Sequence, residues 1–202
     1  PPFLNLPPKL GIVLYNIRLK VNTDAFTDGI FHKGEANGRT ITQAKTEIKG
    51  ERTVFKGKQD YSFPPEDVFP MLCPVREYEY MPRWECDIVY LDSGLAEQGG
   101  VFTTHSHGEG HQKDVWVISR YDTNRVIEFV RVNSMRSMVY RIELQGTETG
   151  GTVVSFELVI TGLSEEGNQH VRTLQQSDFT AMLSHWQEVL QHYLATGEAV
   201  NL

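Results

Sequence analysis

The chain has no apolar stretch near the roughly 20 residues that a membrane-spanning helix requires. Its longest, "LGIVLY" and "VVSFELVITGL", stop well short, so no spanning helix is expected. Basic charge is also scarce. Nineteen lysines and arginines face 26 aspartates and glutamates, a formal net charge of −7, and the cations are scattered rather than gathered in a stripe. A nucleic-acid surface works by clustering cations that displace counterions, so nucleic acid and anionic membrane surfaces are not expected as partners. Cysteine is nearly missing: Cys73 and Cys86 are the two present. That usage fits reduced thiols in a cytoplasmic protein, packed as small hydrophobes, and not a disulfide scaffold. There is no Gly-rich phosphate loop, no G-x-S-x-G elbow and no H-E-x-x-H pair, so no cofactor is implied and positive signs of an enzyme are thin.

What is present is an ordinary globular composition. The 202 residues are 40% hydrophobic and 10% aromatic, enough for one sizeable core, with no internal repeat or low-complexity segment. Two stretches divide the chain. Residues 1–50 read as an N-terminal extension: "VLYNIRLKV" at 13–21 alternates as a strand, and the following "NTDAFTDGIFHKGEANGRT" carries turn chemistry without a period. Residues 51–202 read as the main domain. "RTVFKGKQDYSF" alternates as a strand. "PPEDVFPML" has proline and acidic residues where a helix begins, and "CPVREYEYM" adds a second helical turn or two.

A series of strand-like runs follows, "CDIVYLD", "GGVFTTH", "DVWVISRYD", "RVIEFVRV", "MVYRIELQG" and "TVVSFELVITGL", separated by turns short enough for antiparallel hairpins. A six-stranded meander is the natural topology. After "GLSEEGN" the pattern predicts one long helix over 168–196. Phe179, Met182, Leu183, Trp186, Val189, Leu190 and Tyr193 lie on one stripe of it, and Gly197 stands as its stop. The long apolar helix is the element available to cover one side of the sheet. The expected class is therefore α+β: a curved antiparallel sheet around a C-terminal helix, with two short helices after the first strand and a β extension before it.

That order, together with "FPPEDVFPMLCPVREYEYMPRWECDIVY", "VFTTH", "DVWVISRYD" and "HWQEVLQHYLATGE", resembles the SRPBCC or START-like superfamily, the helix-grip fold of the birch-pollen allergen and of polyketide-cyclase-like proteins. The resemblance covers about residues 52–198, and it is to bacterial members without a settled function. It implies a cavity between sheet and helix that takes an apolar small molecule, lipid- or polyketide-like. The first fifty residues depart from the family pattern; an extra strand, a lid, or an arm that packs on a second subunit to form a homodimer are the alternatives.

Several residues bear on that cavity. A two-residue turn at Thr123 and Asn124 would pair Trp116 with Arg131, Ile118 with Phe129 and Arg120 with Ile127, all on one face, with Tyr121 on the other. The expected lining is Trp116, Ile118, Phe129, Arg131, Phe179, Met182 and Trp186, with Trp84 or Tyr80 at the entrance. An arginine on that face needs a carboxylate, from protein or ligand, because an unpaired buried charge is costly. In "REYEYMPRWE" the simpler reading pairs Arg76 or Arg83 with a glutamate while the rings cap the core. Asp178, His185 and His192 are spaced by seven on the long helix, which makes His185 a weak candidate for a general base in a cyclase-type reaction.

"TTHSHGEGH" places His105, His107 and His111 beside Glu109. His105 and His107, at i and i+2 on a strand, could share a face and chelate, but the segment sits between two strands where glycine and polar residues serve a turn. The expected reading is a hairpin loop with no metal.

Overall fold

The structure, a computed structural model, describes residues 34–36, 39–41, 48–81, 83–105 and 113–200. The strand expected over 13–21, and His107, Glu109 and His111 of the histidine loop, lie outside the described residues. In the extension, β1 (Gly34–Ala36) and β2 (Arg39–Ile41) pair antiparallel as a two-stranded sheet of their own.

Seven further strands make the main sheet: β3 (Arg52–Tyr61), β4 (Asp87–Tyr90), β5 (Val101–His105), β6 (Lys113–Asp122), β7 (Val126–Val132), β8 (Arg136–Gly146) and β9 (Thr152–Gly162). Their order is β3-β9-β8-β7-β6-β5-β4, with every neighbouring pair antiparallel. The six-stranded meander expected from the turn lengths is β4 to β9, and β3 closes the far edge by pairing with β9. Alternation in the sequence becomes two-sidedness in the sheet. In β9, Val154, Phe156, Leu158 and Ile160 are buried while the residues between them are partly exposed.

Between β3 and β4 the chain forms α1 (Pro65–Val68) and two single turns of 3-10 helix, Phe69–Leu72 and Arg76–Glu79. Pro65 opens α1, and Glu66 and Asp67 occupy its first turn, where the helix dipole favours acids.

The C-terminal helical region is not one helix. It breaks into α2 (Glu165–Thr173) and α3 (Gln176–Thr196). The Ser164 hydroxyl caps α2 by accepting from the Gly167 amide at 3.0 Å. Leu174 and Gln175 then take extended backbone angles. The half-buried Leu174 packs against the core. With no glycine or proline at the break, nothing local in the sequence marks it. Gly197 ends α3 as expected, with φ 74° and its amide bonded to the Tyr193 carbonyl at 2.7 Å.

The β6–β7 hairpin departs from the expected register near its turn. The turn has three residues, Thr123 to Arg125, because Asp122 pairs with Val126. An irregularity between Ile118 and Arg120 then leaves Ser119 as the extra residue on β6 and restores the expected pairs Ile118 with Phe129 and Trp116 with Arg131. Between bulge and turn the faces are exchanged. Tyr121 lies opposite Ile127 on the buried side, its ring 5.1 Å from that of Phe69, while Arg120 faces out and pairs with Asp122 at 2.5 Å. A charge that would be costly in the core is thereby placed in water.

Helix α3 lies over β3 and closes the core. It approaches so near that a Cβ on Gly57 would stand 2.3 Å from Leu183 Cδ1. Two residues further along the same strand, the buried Gln59 donates from Nε2 to the Leu183 carbonyl at 2.5 Å, and Tyr61 donates its hydroxyl to Gln59 Oε1 at 2.7 Å. No described helix is long and apolar enough to cross a membrane.

Candidate functional site: the space between sheet and helix

The helix-facing side of the sheet is aromatic. Trp116 stacks on Phe102 with ring centroids 5.3 Å apart, and Phe129 meets both edge-on. From α3, Phe179 contacts Phe55 at 5.8 Å and Tyr140 at 6.3 Å, and Trp186 contacts Phe156 at 5.9 Å. Ile118, Phe129 and Phe179 are buried. Trp116, Tyr140, Met182 and Trp186 are not: each keeps part of its surface. For Tyr140 that surface cannot be outer surface. It sits on β8, near the middle of the sheet and beneath Phe179, and its hydroxyl oxygen is buried.

The arginine on this face has found its carboxylate in the protein. Arg131, 4% exposed, donates from Nη2 to Asp114 Oδ2 at 2.5 Å, and its guanidinium lies 4.8 Å from the Trp116 ring centroid. Asn133 donates to the other Asp114 oxygen at 2.8 Å. Tyr80 is not at an entrance. It is wholly buried, its hydroxyl donating to the Met71 carbonyl at 2.9 Å and receiving the Trp186 indole N–H at 3.1 Å. Trp84 is half-buried with its indole N–H bonded to the Pro74 carbonyl at 2.8 Å.

No protein-family model and no curated protein matches this sequence. Solved structures do match in shape. An uncharacterised protein from Rhizobium leguminosarum aligns with a TM-score of 0.54 at 12% identity, over 71% of this chain and 97% of its own. An aromatase/cyclase from Streptomyces sp. R1128 aligns with a TM-score of 0.53 at 11% identity, over 74% of this chain and all of its own (100%). A protein of unknown function from Staphylococcus aureus gives 0.52 at 14% identity, over 74% and 97%. The chain has the helix-grip fold.

Within this helix-grip domain, the residue the sequence undersold is Glu77. It projects from the second 3-10 turn, whose other acid, Glu79, is held at the surface by Arg76 at 2.9 Å and by the Tyr193 hydroxyl at 2.7 Å. Among the described residues, the Glu77 carboxyl has no hydrogen-bond or ion-pair partner. Burial pushes its pKa up from 4.5 to about 8. Yet the residue as a whole retains some accessible surface. Its charge acts on the hydroxyls of Tyr80 and Tyr140, which burial has already raised well above the ordinary phenol range. The only trace in the sequence was acids among rings in "REYEYMPRWE"; which glutamate turns inward depends on a 3-10 turn that no period predicts.

The other candidates are less connected. His185 is half-buried on α3 with no bonded acid, and Asp178 and His192, which share its line, are exposed. His105 is exposed at the end of β5. No cluster of metal-ligating side chains occurs among the described residues. Cys73 is buried and accepts from the Ala96 amide at 3.1 Å; both cysteines are free thiols. Outside the helix-grip interior, an open cleft of about 410 Å³ separates α1 and its following turn from the C-terminal end of α3, lined by Glu66, Asp67, Met71, Arg76, Tyr193 and Leu194 among others.

Proposed function

We infer that this protein binds a largely apolar small molecule, lipid- or polyketide-like, between the sheet and α3. The observation that carries the reading is the partial exposure of Trp116, Tyr140, Met182 and Trp186 on the inner side of the fold, where packed side chains would leave none. The lining is apolar and aromatic with a few convergent polar groups, the usual make-up of a small-molecule site. Residues 51–202 carry this function. Residues 1–50 are proposed as an arm that docks on a second copy, which would appear as a halved molecular mass in solution once they are deleted. The free thiols fit the cytoplasm as its place.

A reaction of the cyclase kind is the second reading, because one protein of the same shape is an aromatase/cyclase. Fold alone does not choose between carrier and enzyme. Against His185 as its base stands the lack of any bonded acid. Binding is tested with N-phenyl-1-naphthylamine, a neutral fluorescent probe. Saturable probe enhancement together with quenching of the tryptophans is the expected result. An interior that excludes the probe at every concentration sinks the reading.

A further inference from the structure

The outer face of the main sheet carries an apolar strip that the interior does not use. The register places Val54 opposite Val159, Val159 opposite Val139, Val139 opposite Val130, Val130 opposite Val117 and Val117 opposite Val101, which faces Tyr90 on the edge strand β4. Each of the seven strands thus gives one apolar residue to a single line across the sheet. These residues alternate with inward side chains such as Phe55, Leu158 and Phe129, so the line faces away from α3. Val54 and Tyr90 at its ends are 47% and 57% exposed, and the five valines between them keep part of their surface. The next line towards the β6–β7 turn, Lys56, Glu157, Arg141, Glu128 and Arg120, is charged throughout. On the other side Arg52, Thr161, Ser137, Thr103 and Asp87 are polar, and Val132 and Val115 widen the strip.

The shape of the strip selects its occupant. Six strand spacings make it ~29 Å long, and the flanking polar lines hold it to roughly 10 Å in width. Two strips face to face would bury ~300 Å² per copy, well under the ~800 Å² that each partner of a specific pair contributes. A single extended chain fits better. Residues 13–21, outside the described residues, put Val13, Tyr15, Ile17, Leu19 and Val21 on one side of their alternation and Asn16, Arg18 and Lys20 on the other. Extended, that apolar side is ~27 Å long, close to the length of the strip. The root of the extension is tied to α2, whose Val171 packs in the core: Asn168 accepts from the Glu51 amide at 2.7 Å and donates to the Lys49 carbonyl at 3.1 Å. An arm rooted there starts on the helix-covered side of the sheet, opposite its own strip, which favours the strip of a second copy.

Resting on the reading of residues 1–50 as an arm for a second copy, we propose that residues 13–21 of one copy lie extended along the valine strip of the other, and that the exchange is reciprocal. Two such contacts double the area that one strip supplies.

The experiment is sedimentation equilibrium of the full chain, which is expected to dimerise. Val130→Lys, in the middle of the strip, and Ile17→Lys, in the middle of the segment, should each weaken dimerisation at least tenfold, because each sets a charge in an apolar contact. Tyr90→Lys repeats the strip test at a position 57% exposed in the single copy, where folding is not at stake. An equimolar mixture of the Val130→Lys and Ile17→Lys chains keeps one intact segment and one intact strip, and should associate more tightly than either chain alone. A dimer unmoved by both strip variants overturns the proposal; if Ile17→Lys still dissociates it, the arm reading stands. Dissociation by the strip variants with none by Ile17→Lys overturns the proposal in favour of strips that meet each other. A parent chain that stays monomeric at every concentration removes both the proposal and the arm reading.

Discussion

Replacing Glu77 by glutamine should change how stability depends on pH more than stability itself. The folded protein holds this carboxyl at about 8, against an ordinary value of 4.5. A raised acid favours the folded state while protonated. Below about pH 4.5 both states carry the proton and nothing is lost. As pH rises from there, the unfolded chain ionises freely while the folded one either stays protonated or buries a charge. Stability therefore falls by about 1.4 kcal/mol per pH unit until pH passes about 8, then levels. The full shift corresponds to ~5 kcal/mol; the residue's partial exposure and side-chain relaxation reduce it, so ~2–5 kcal/mol is the working range. Glutamine has the same shape and cannot ionise. The difference between variant and parent in urea-melt stability should thus be small near pH 5 and reach ~2–5 kcal/mol in the variant's favour near pH 9. Parallel profiles for the two proteins across that range would show that Glu77 is solvated like any surface acid and refute the reasoning.

Three further outcomes follow from the packing. Gly57→Ala puts a methyl 2.3 Å from Leu183 Cδ1 and should cost ~1–3 kcal/mol in urea melts; if the clash is the cause, Leu183→Ala added to it should show a favourable coupling in a double-mutant cycle. Asp114→Ala strands the buried Arg131 guanidinium and should destabilise by ~3–5 kcal/mol, whereas a loss below ~1 kcal/mol would mean that water reaches the arginine. Gly197→Ala forces a side chain into the left-handed region at φ 74° and should lower stability by ~1 kcal/mol, read as a small drop in thermal midpoint; no change would mean that the helix end frays at little cost.

The sequence exposed those features that repeat with a period. Alternation placed the strands of the main sheet, whereas the pair Trp116 with Arg131, expected from a two-residue turn, came about because a three-residue turn and the Ser119 bulge offset one another. The apolar stripe and Gly197 gave the body and end of α3. What lacked a period was hidden. The α2–α3 break depends on Leu174 finding a seat in the core, a tertiary event with no local breaker. The exchange of Arg120 for Tyr121 depends on one unpaired serine. Glu77 and Glu79 share one 3-10 turn and differ in what surrounds them: the Glu79 carboxyl meets Arg76 and Tyr193 at the surface, while that of Glu77 has neither partner and is raised by burial. Composition cannot tell two such acids apart.

Ser119 also has a consequence for comparing this chain with its structural relatives. On either side of the bulge, inward and outward positions keep their alternation if that one residue is omitted: Ile118 in, Arg120 out, Tyr121 in. A relative lacking the bulge should therefore align with a single gap opposite Ser119, and an ungapped alignment would match inward residues to outward ones from there to the turn. At 11–14% identity, where a misplaced residue is hard to notice, that one-residue gap decides whether Tyr121 or Arg120 is counted as part of the interior.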